Sequence, residues 1–125
     1  MKIALVSVYV HNPLEAHQFY TKTLGFVSKM YMPEANLAIV ASLEEPDSTG
    51  ILLEPNNNPI AKHYQEALYQ ANLPVITFSL VDIQDEYERL KALGVVFRKV
   101  PTKTDWCIEA VLEDTCGNLI QLVQL

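Results

Sequence analysis

Apolar and small polar residues alternate along two short stretches of the chain, residues 6–10 and residues 76–80. Alternation with a period of two is typical of a β-strand whose two faces meet different surroundings. Each stretch is followed by a residue that favours the start of a helix, Asn12 or Asp82, with an acidic residue three positions later. The pattern therefore predicts a strand followed by a helix, twice.

Helical periodicity follows each of these strands. The predicted apolar stripes are Leu14, Phe19, Tyr20 and Leu24 in the first helix and Ile83, Tyr87, Leu90 and Leu93 in the second. Each helix is predicted to end at a glycine, Gly25 or Gly94, which is a common C-terminal cap. The strands align at an offset of 70 residues (76 − 6) and the glycines at 69 (94 − 25), so the second helix lacks one residue of the first.

Three further strands are predicted after each helix, separated by turn-forming residues. They cover residues 27–32, 37–42 and 51–54 in the first half and 95–100, 106–112 and 119–124 in the second. Between the halves, Asn58 and Pro59 predict the start of a helix over about 60–71. Its predicted buried stripe is Ile60, Tyr64, Ala67, Leu68 and Ala71. The chain is thus predicted to be one α+β domain with a βαβββ module (1–55), a linker helix (56–73) and a second βαβββ module (74–125).

Composition narrows the class of protein. The 125 residues are 50% apolar and 19% charged, which is enough for a core without a metal or disulfide staple. The net charge of −6 and the scattered basic residues argue against nucleic acid and anionic membranes as partners. The two cysteines, Cys107 and Cys116, do not form a disulfide framework, and no apolar run approaches the length of a membrane span. We therefore expect a cytoplasmic protein.

The duplicated pattern resembles the vicinal oxygen chelate superfamily, which includes glyoxalase I, extradiol dioxygenases, fosfomycin-modifying enzymes and bleomycin-resistance proteins. The resemblance covers nearly the whole chain and rests on "VSVYVHN", "HQFYTKTLGF", "DEYERLKALGV" and "DTCGNLIQL". It implies that the two modules form a cupped, open barrel of mixed and antiparallel strands with the site in the cup. It also implies a metal ligand, usually His or Glu, on the first and last strand of each module.

The positions at which the family places its metal ligands hold residues that do not suit a metal. By the resemblance, the first-strand positions correspond to Leu5 and Val75, and the last-strand positions to Leu52 and Gln121. Aliphatic side chains cannot bind an ion, and a single glutamine carbonyl is a poor ligand for a transition metal. We therefore expect no metal, no cofactor, and no glyoxalase or ring-cleaving activity even with added metal.

Other candidate ligands and proton-transfer groups are dispersed along the chain. Three histidines lie on different predicted elements, which favours surface roles for them: His11, His17 and His63. Glu54 and Glu109 face either the cup or solvent. A metal-independent enzyme that uses Tyr9 or Glu109 as a proton relay is a third, weaker alternative.

The alternation in the first strand of each module predicts which side chains line the cup. If Val6, Val8 and Val10 pack under the first helix, the predicted cup-lining set contains Leu5, Ser7, Tyr9, Val75, Thr77 and Ser79. The resemblance adds Gln121, as the position of a family ligand, to this set. In a register shifted by one residue, Gln121 would instead lie under a helix, with Ile120 and Leu122 in the cup. Hydroxyls and one amide among apolar walls suit a small, largely apolar molecule with a few polar anchors. Alternatively, the hydroxyls line a solvated sheet face. Trp106 and Tyr31 are candidate walls of the cup, with packing in the core as the alternative.

The residues and the resemblance together favour a metal-free binding protein similar to the bleomycin-resistance branch. The alternative is a metal-dependent lyase, isomerase or dioxygenase similar to glyoxalase I with atypical ligands, so whether the protein is an enzyme stays open. We also expect a homodimer. The resemblance implies pairing of two chains, and both the open sheet edges and the linker-helix surface around Tyr64, Leu68 and Tyr69 need cover.

Overall fold

A computed structural model describes all 125 residues and confirms the predicted α+β class and order of elements. The first module contains β1 (Leu5–Val10), α1 (Pro13–Gln18), β2 (Val27–Met32), β3 (Leu37–Ala41) and β4 (Gly50–Pro55). The helix α2 (Pro59–Gln70) follows. The second module contains β5 (Ile76–Ser79), α3 (Ile83–Ala92), β6 (Phe97–Lys103), β7 (Ile108–Glu113) and β8 (Leu119–Gln124). The chain divides into two compact units, Met1–Gln65 and Glu66–Leu125.

Each unit contains one four-stranded mixed sheet. The strand order is β1-β4-β3-β2 in the first unit and β5-β8-β7-β6 in the second. In both sheets the first and last strands of the module pair in parallel, and the other neighbours are antiparallel. The last strand of each module therefore lies inside its sheet. Each sheet is open, and the two sheets repeat one topology.

The helix α1 covers one face of the first sheet. The side chains of Val8, Val10, Leu53 and Ala16 are fully buried or nearly so between them. Val6, by contrast, is 42% exposed at the end of β1 that lies farther from the start of α1. The expectation that three valines pack under the helix therefore holds for Val8 and Val10 and is wrong for Val6.

The first helix changes its hydrogen bonding at Phe19. A π-helical segment, Phe19–Thr23, continues α1, and the N–H of Leu24 donates to the carbonyl of Phe19 at 3.0 Å. The segment stops at Gly25, whose φ of 89° is in the left-handed region that glycine adopts without strain. The predicted end of the helix is thus observed, but its last turn is not α-helical. In the second module α3 has no π-helical segment, and the N–H of Leu93 is shared between the carbonyls of Leu90 at 3.1 Å and Arg89 at 3.3 Å.

The helix α2 begins where predicted but buries a different face. The predicted stripe is wrong, because Ile60 is 81% exposed whereas Ala61 and Gln65 are buried. The cause is a polar contact. The Gln65 amide donates to the carbonyl of Tyr9 at 2.8 Å and accepts from Asn56 Nδ2 at 2.6 Å. These hydrogen bonds satisfy the buried amide and hold this face of the helix against β1.

The start of α2 provides a test of helix capping. The Oδ1 atom of Asn58 accepts the N–H of Ile60 at 2.8 Å, and Pro59 occupies the first helical position. Asn58→Ala should lower the free energy of unfolding by about 1 kcal/mol, because an N–H at the helix start loses its partner. Asn57→Ala, at an exposed neighbouring position, should change it by less than about 0.5 kcal/mol in the same urea titrations. Equal losses would contradict the capping role.

None of the three α-helices exceeds 12 residues, so none is a candidate to span a membrane. Both cysteines are free thiols, Cys116 buried and Cys107 half-buried. The fold therefore holds without a cross-link between them.

Candidate functional site

The two faces of the second sheet differ in what covers them. Ile120 and Leu122 of β8 are buried, and Gln124 accepts the N–H of Ile83, the first residue of α3, at 2.9 Å. Even-numbered residues of β8 therefore point towards α3. Since neighbouring residues of a strand point to opposite faces, Gln121 points to the face opposite α3, where it is half-buried.

Four side chains on this face form a hydrogen-bonded row, which we call the polar row: Thr77, Gln121, Glu109 and Lys99. Thr77 Oγ1 donates to Gln121 Oε1 at 3.1 Å, and Gln121 Nε2 donates to Glu109 Oε2 at 2.7 Å. Lys99 Nζ donates to Glu109 Oε1 at 2.5 Å. Each of the four strands of the sheet contributes one member, so the row crosses the whole sheet.

Two members of the row belong to the predicted cup-lining set. Thr77 lies directly opposite Gln121 in the register of β5 and β8. Ser79 lies two residues farther along β5 and is exposed, opposite Val123. Val75 precedes the strand, is half-buried, and donates its N–H to the carbonyl of Leu119 at 2.9 Å. Of the residues predicted to line the cup in the second module, Thr77 and Gln121 are therefore the two that the structure brings into contact.

Sequence reasoning left Glu109 open and missed Lys99. The obstacle is the irregular pairing of β6 with β7, where the register shifts between Phe97 and Lys99 and again between Lys99 and Thr102. Each shift changes which face a residue reaches, so simple alternation fails along β6. The available signal was Glu109 itself, which has the strand parity of Val111, because a carboxylate on a half-buried sheet face needs a basic or amide partner.

Lys99 determines the ionisation of Glu109. The hydrogen bond from Lys99 is the main cause that lowers the pKa of Glu109, and desolvation opposes it in part. The charge of Lys99 and the hydrogen bond from Gln121 lower this pKa further. A carboxylate held in its ionised form is a weak general base. This argues against a proton relay through Glu109.

Removal of the ammonium should raise the pKa of Glu109. In Lys99→Met the carboxyl loses its main stabilising contact, so its ¹³C NMR titration midpoint should move to higher pH. Lys103→Met, on the same strand and exposed, should leave the midpoint unchanged. Because the folded pKa is depressed, the pair stabilises the fold above the unfolded pKa and loses this effect as the pH falls through the folded value. The stability difference between wild type and Lys99→Met should therefore shrink on acidification.

The equivalent positions of the first sheet are mostly apolar. Ser7 lies opposite Leu52 in the register of β1 and β4, as Thr77 lies opposite Gln121 in the second sheet. Leu52 in turn pairs with Ile39 of β3. Ser7 and Leu5 are exposed and Tyr9 is half-buried, so the predicted residues of β1 reach the surface of their unit.

A close approach around Gly50 explains how this apolar surface packs. Gly50 lies opposite Leu5, and a Cβ atom at Gly50 would lie 3.0 Å from Ile39 Cγ2 and 3.1 Å from Leu5 Cδ2. The two side chains thus lie over the glycine. The first sheet offers one hydroxyl and aliphatic groups where the second offers the polar row.

The three histidines do not converge. His11 and His63 are exposed, and His17 on α1 is half-buried. His17 Nε2 lies 2.8 Å from Ser28 Oγ, and its ring stacks on Tyr31 with centroids 4.7 Å apart. Burial, and then the charge of Lys22, lower the pKa of His17. Through these contacts His17 holds α1 against β2.

The two candidate walls of the cup have other surroundings. Tyr31 stacks on His17, on the side of the sheet that carries α1, and Trp106 is 90% exposed between β6 and β7. Core packing of Trp106 is therefore wrong. Glu54 is half-buried opposite Tyr9 near the end of β4. No group of three or more His, Cys, Asp or Glu side chains in the chain is placed to hold a metal ion.

Comparison with known proteins places these observations in a family context. Residues 2–122 match a family model described as the Glyoxalase/Bleomycin resistance protein/Dioxygenase superfamily. The protein YurT of Bacillus subtilis (strain 168) is 44% identical over 126 residues, which cover 99% of each chain. The similarity thus extends over the whole duplicated pattern.

Solved structures share the fold. The crystal structure of UcmS2 matches with a TM-score of 0.82 and 26% identity over 98% of this chain and 97% of that one. The crystal structure of TnmS3, an antibiotic binding protein from Streptomyces sp. CB03234, matches with a TM-score of 0.75 and 24% identity over 99% and 95%. Both similarities span both βαβββ modules.

Proposed function

The chain belongs to the glyoxalase/bleomycin resistance protein/dioxygenase superfamily, and we propose that it is a member that binds a small, largely apolar organic molecule without a metal. The polar row carries this proposal. At Gln121, where the resemblance implies a metal ligand, the side chain is instead an amide bonded to Thr77 and Glu109.

The charges of the polar row argue against a metal ion. Its single carboxylate, Glu109, already accepts from Lys99 at 2.5 Å and from Gln121 at 2.7 Å. A divalent cation at this carboxylate would face the Lys99 ammonium at close range and would lack the further anionic or imidazole ligands that such ions need. The residues therefore do not fit the metal that the family implies.

The surroundings of the row suit an apolar ligand. Val111 and Val123 are half-buried on the same face of the sheet, beside Glu109 and Gln121. Binding sites for small molecules combine apolar walls with a few polar groups that orient the ligand. The antibiotic-binding function named for TnmS3, which has the same fold, supports an antibiotic-like organic molecule as the ligand class.

The test combines ligand titration with metal analysis. The protein should bind at least one member of a panel of apolar and aromatic antibiotics, and ¹⁵N NMR should show the shifts at Thr77 and Gln121. Gln121→Leu should weaken that binding about tenfold, because the ligand loses one hydrogen bond to the Gln121 amide. Gln84→Leu, exposed on α3, is the matched control and should bind as wild type. Close to one Zn, Ni, Mn or Fe per purified chain, or turnover with such a metal, would contradict the proposal.

We also propose that two copies of the chain pair. The support is the exposed apolar side of α2, where Ile60 is 81% and Tyr64 51% exposed. Light scattering should give twice the 14.1 kDa chain mass. Ile60→Glu should shift the mass towards a single chain, whereas Lys62→Glu on the same helix should not. A wild-type mass near one chain at micromolar concentration would refute pairing.

A further inference from the structure

We propose that the polar row selects ligands that present a carbonyl oxygen beside an N–H, as in a lactam or a carboxamide. This inference rests on the proposed function and specifies the chemistry of the ligand edge that meets the second sheet. It follows from the direction of the hydrogen bonds in the row and from the groups that they leave unused.

The ionised carboxylate fixes the direction of each hydrogen bond. Glu109 can only accept, so Gln121 must turn its Nε2 atom towards it, at 2.7 Å. The Gln121 Oε1 atom then faces Thr77 at 3.1 Å and accepts its hydroxyl proton. The orientation of the amide and of the hydroxyl is therefore set from the Lys99 end of the row, before any ligand arrives.

This direction leaves one donor and one acceptor on neighbouring side chains. The amide nitrogen of Gln121 carries two hydrogens, and the bond to Glu109 uses one of them. Thr77 Oγ1 donates its only proton to Gln121, so its lone pairs remain able to accept. Thr77 is exposed and Gln121 half-buried, which leaves both groups accessible. A ligand that accepts from Gln121 and donates to Thr77 matches this pair.

The charges of the row select a neutral edge. Lys99 and Glu109 neutralise each other, so the row has no net charge to balance an ion. At the edge formed by Thr77 and Gln121, a ligand carboxylate would lie nearest to Glu109, a group of like charge. A ligand ammonium has no acceptor, so it would leave the second N–H of Gln121 without a partner. An amide edge carries the required acceptor and donor side by side without charge.

The experiment compares two probes that differ in one N–H. 2-Quinolinone has a lactam edge, and N-methyl-2-quinolinone lacks its N–H. In ¹⁵N NMR titrations both probes should shift the signals of residues on the face opposite α3. 2-Quinolinone should bind at least about fivefold more tightly than its N-methyl derivative. Thr77→Val removes the acceptor with little change of shape and should abolish the difference. Thr49→Val, an exposed threonine of the other unit, should preserve it.

The outcomes separate this inference from the proposed function. Equal affinities of the two probes, or a difference that survives in Thr77→Val, would overturn the lactam inference. Quinoline, an apolar bicycle without the lactam edge, tests the proposed function by itself. If quinoline shifts the NMR signals of the same face and the two lactams bind equally, the proposed binding function is supported and the proposed lactam selectivity is refuted. If none of the three probes perturbs that face, the lactam inference is refuted, and the titrations with the antibiotic panel decide the proposed function.

Discussion

Asp114→Ala should lower the free energy of unfolding by about 3 kcal/mol. Asp114 is fully buried in the turn before β8. Its carboxylate accepts the backbone N–H of Cys116 at 2.7 Å and that of Asn118 at 3.0 Å, together with Asn118 Nδ2 at 2.9 Å. Alanine would leave these donors buried without this acceptor, and each such loss costs about 1–3 kcal/mol before relaxation. The destabilised turn immediately precedes β8, the strand that carries Gln121.

Guanidinium titrations at neutral pH measure this loss. Asp105→Ala is the matched control, because Asp105 is exposed in the turn between β6 and β7 and should change stability by less than about 0.5 kcal/mol. Asp114→Asn should fall between the two, since its amide oxygen still accepts but its NH₂ group faces Asn118 Nδ2. If the alanine variants at 114 and 105 lose the same stability, the turn does not depend on the buried carboxylate.

Leu112→Ala should cost about 3 kcal/mol, whereas Val111→Ala, one residue earlier, should cost about 1 kcal/mol or less. Leu112 is fully buried on the side of β7 that faces α3, where Leu90 is also fully buried. Truncation there removes buried methyl groups and leaves a cavity. Val111 is half-buried on the opposite face, and its truncation leaves no enclosed space.

This pair tests the assignment of the two faces of the second sheet. Both variants are compared with the wild type by urea denaturation. An unchanged slope of the free energy of unfolding against urea concentration shows that the variants expose the same surface on unfolding as the wild type. Comparable losses at residues 111 and 112 would mean that both faces of β7 are equally packed. The polar row would then lie in a core and not on an accessible surface.

Most of the order of elements could be predicted because each element is marked by residues close to it in sequence. Asn12 caps α1 by accepting the N–H of Leu14 at 3.0 Å, and Asp82 caps α3 by accepting that of Asp85 at 3.0 Å. Gly94, like Gly25, has a positive φ. Such signals act over a few residues, so the sequence alone displays them.

The face that α2 buries could not be predicted in the same way. Gln65 and the carbonyl of Tyr9 are 56 residues apart in sequence. A pattern of apolar positions predicts apolar residues to be buried, so it does not predict a buried amide. The same limit applies to the site. Alternation placed Thr77 on the face of the cup and the family resemblance placed Gln121 there. The partnership of Lys99 with Glu109 depends on bulges that alternation does not reveal.

The π-helical segment Phe19–Thr23 accounts for the one residue by which the strand-to-glycine segments of the two modules differ in length. In the first half the N–H of Phe26 reaches back to the carbonyl of Tyr20, and in the second the N–H of Val95 reaches back to that of Leu90, one residue less. A π turn takes up one residue more than an α turn, so the surplus is absorbed inside the helix and the flanking strands keep equivalent positions. The first helix therefore accommodates one residue more than the second without an added loop on either side.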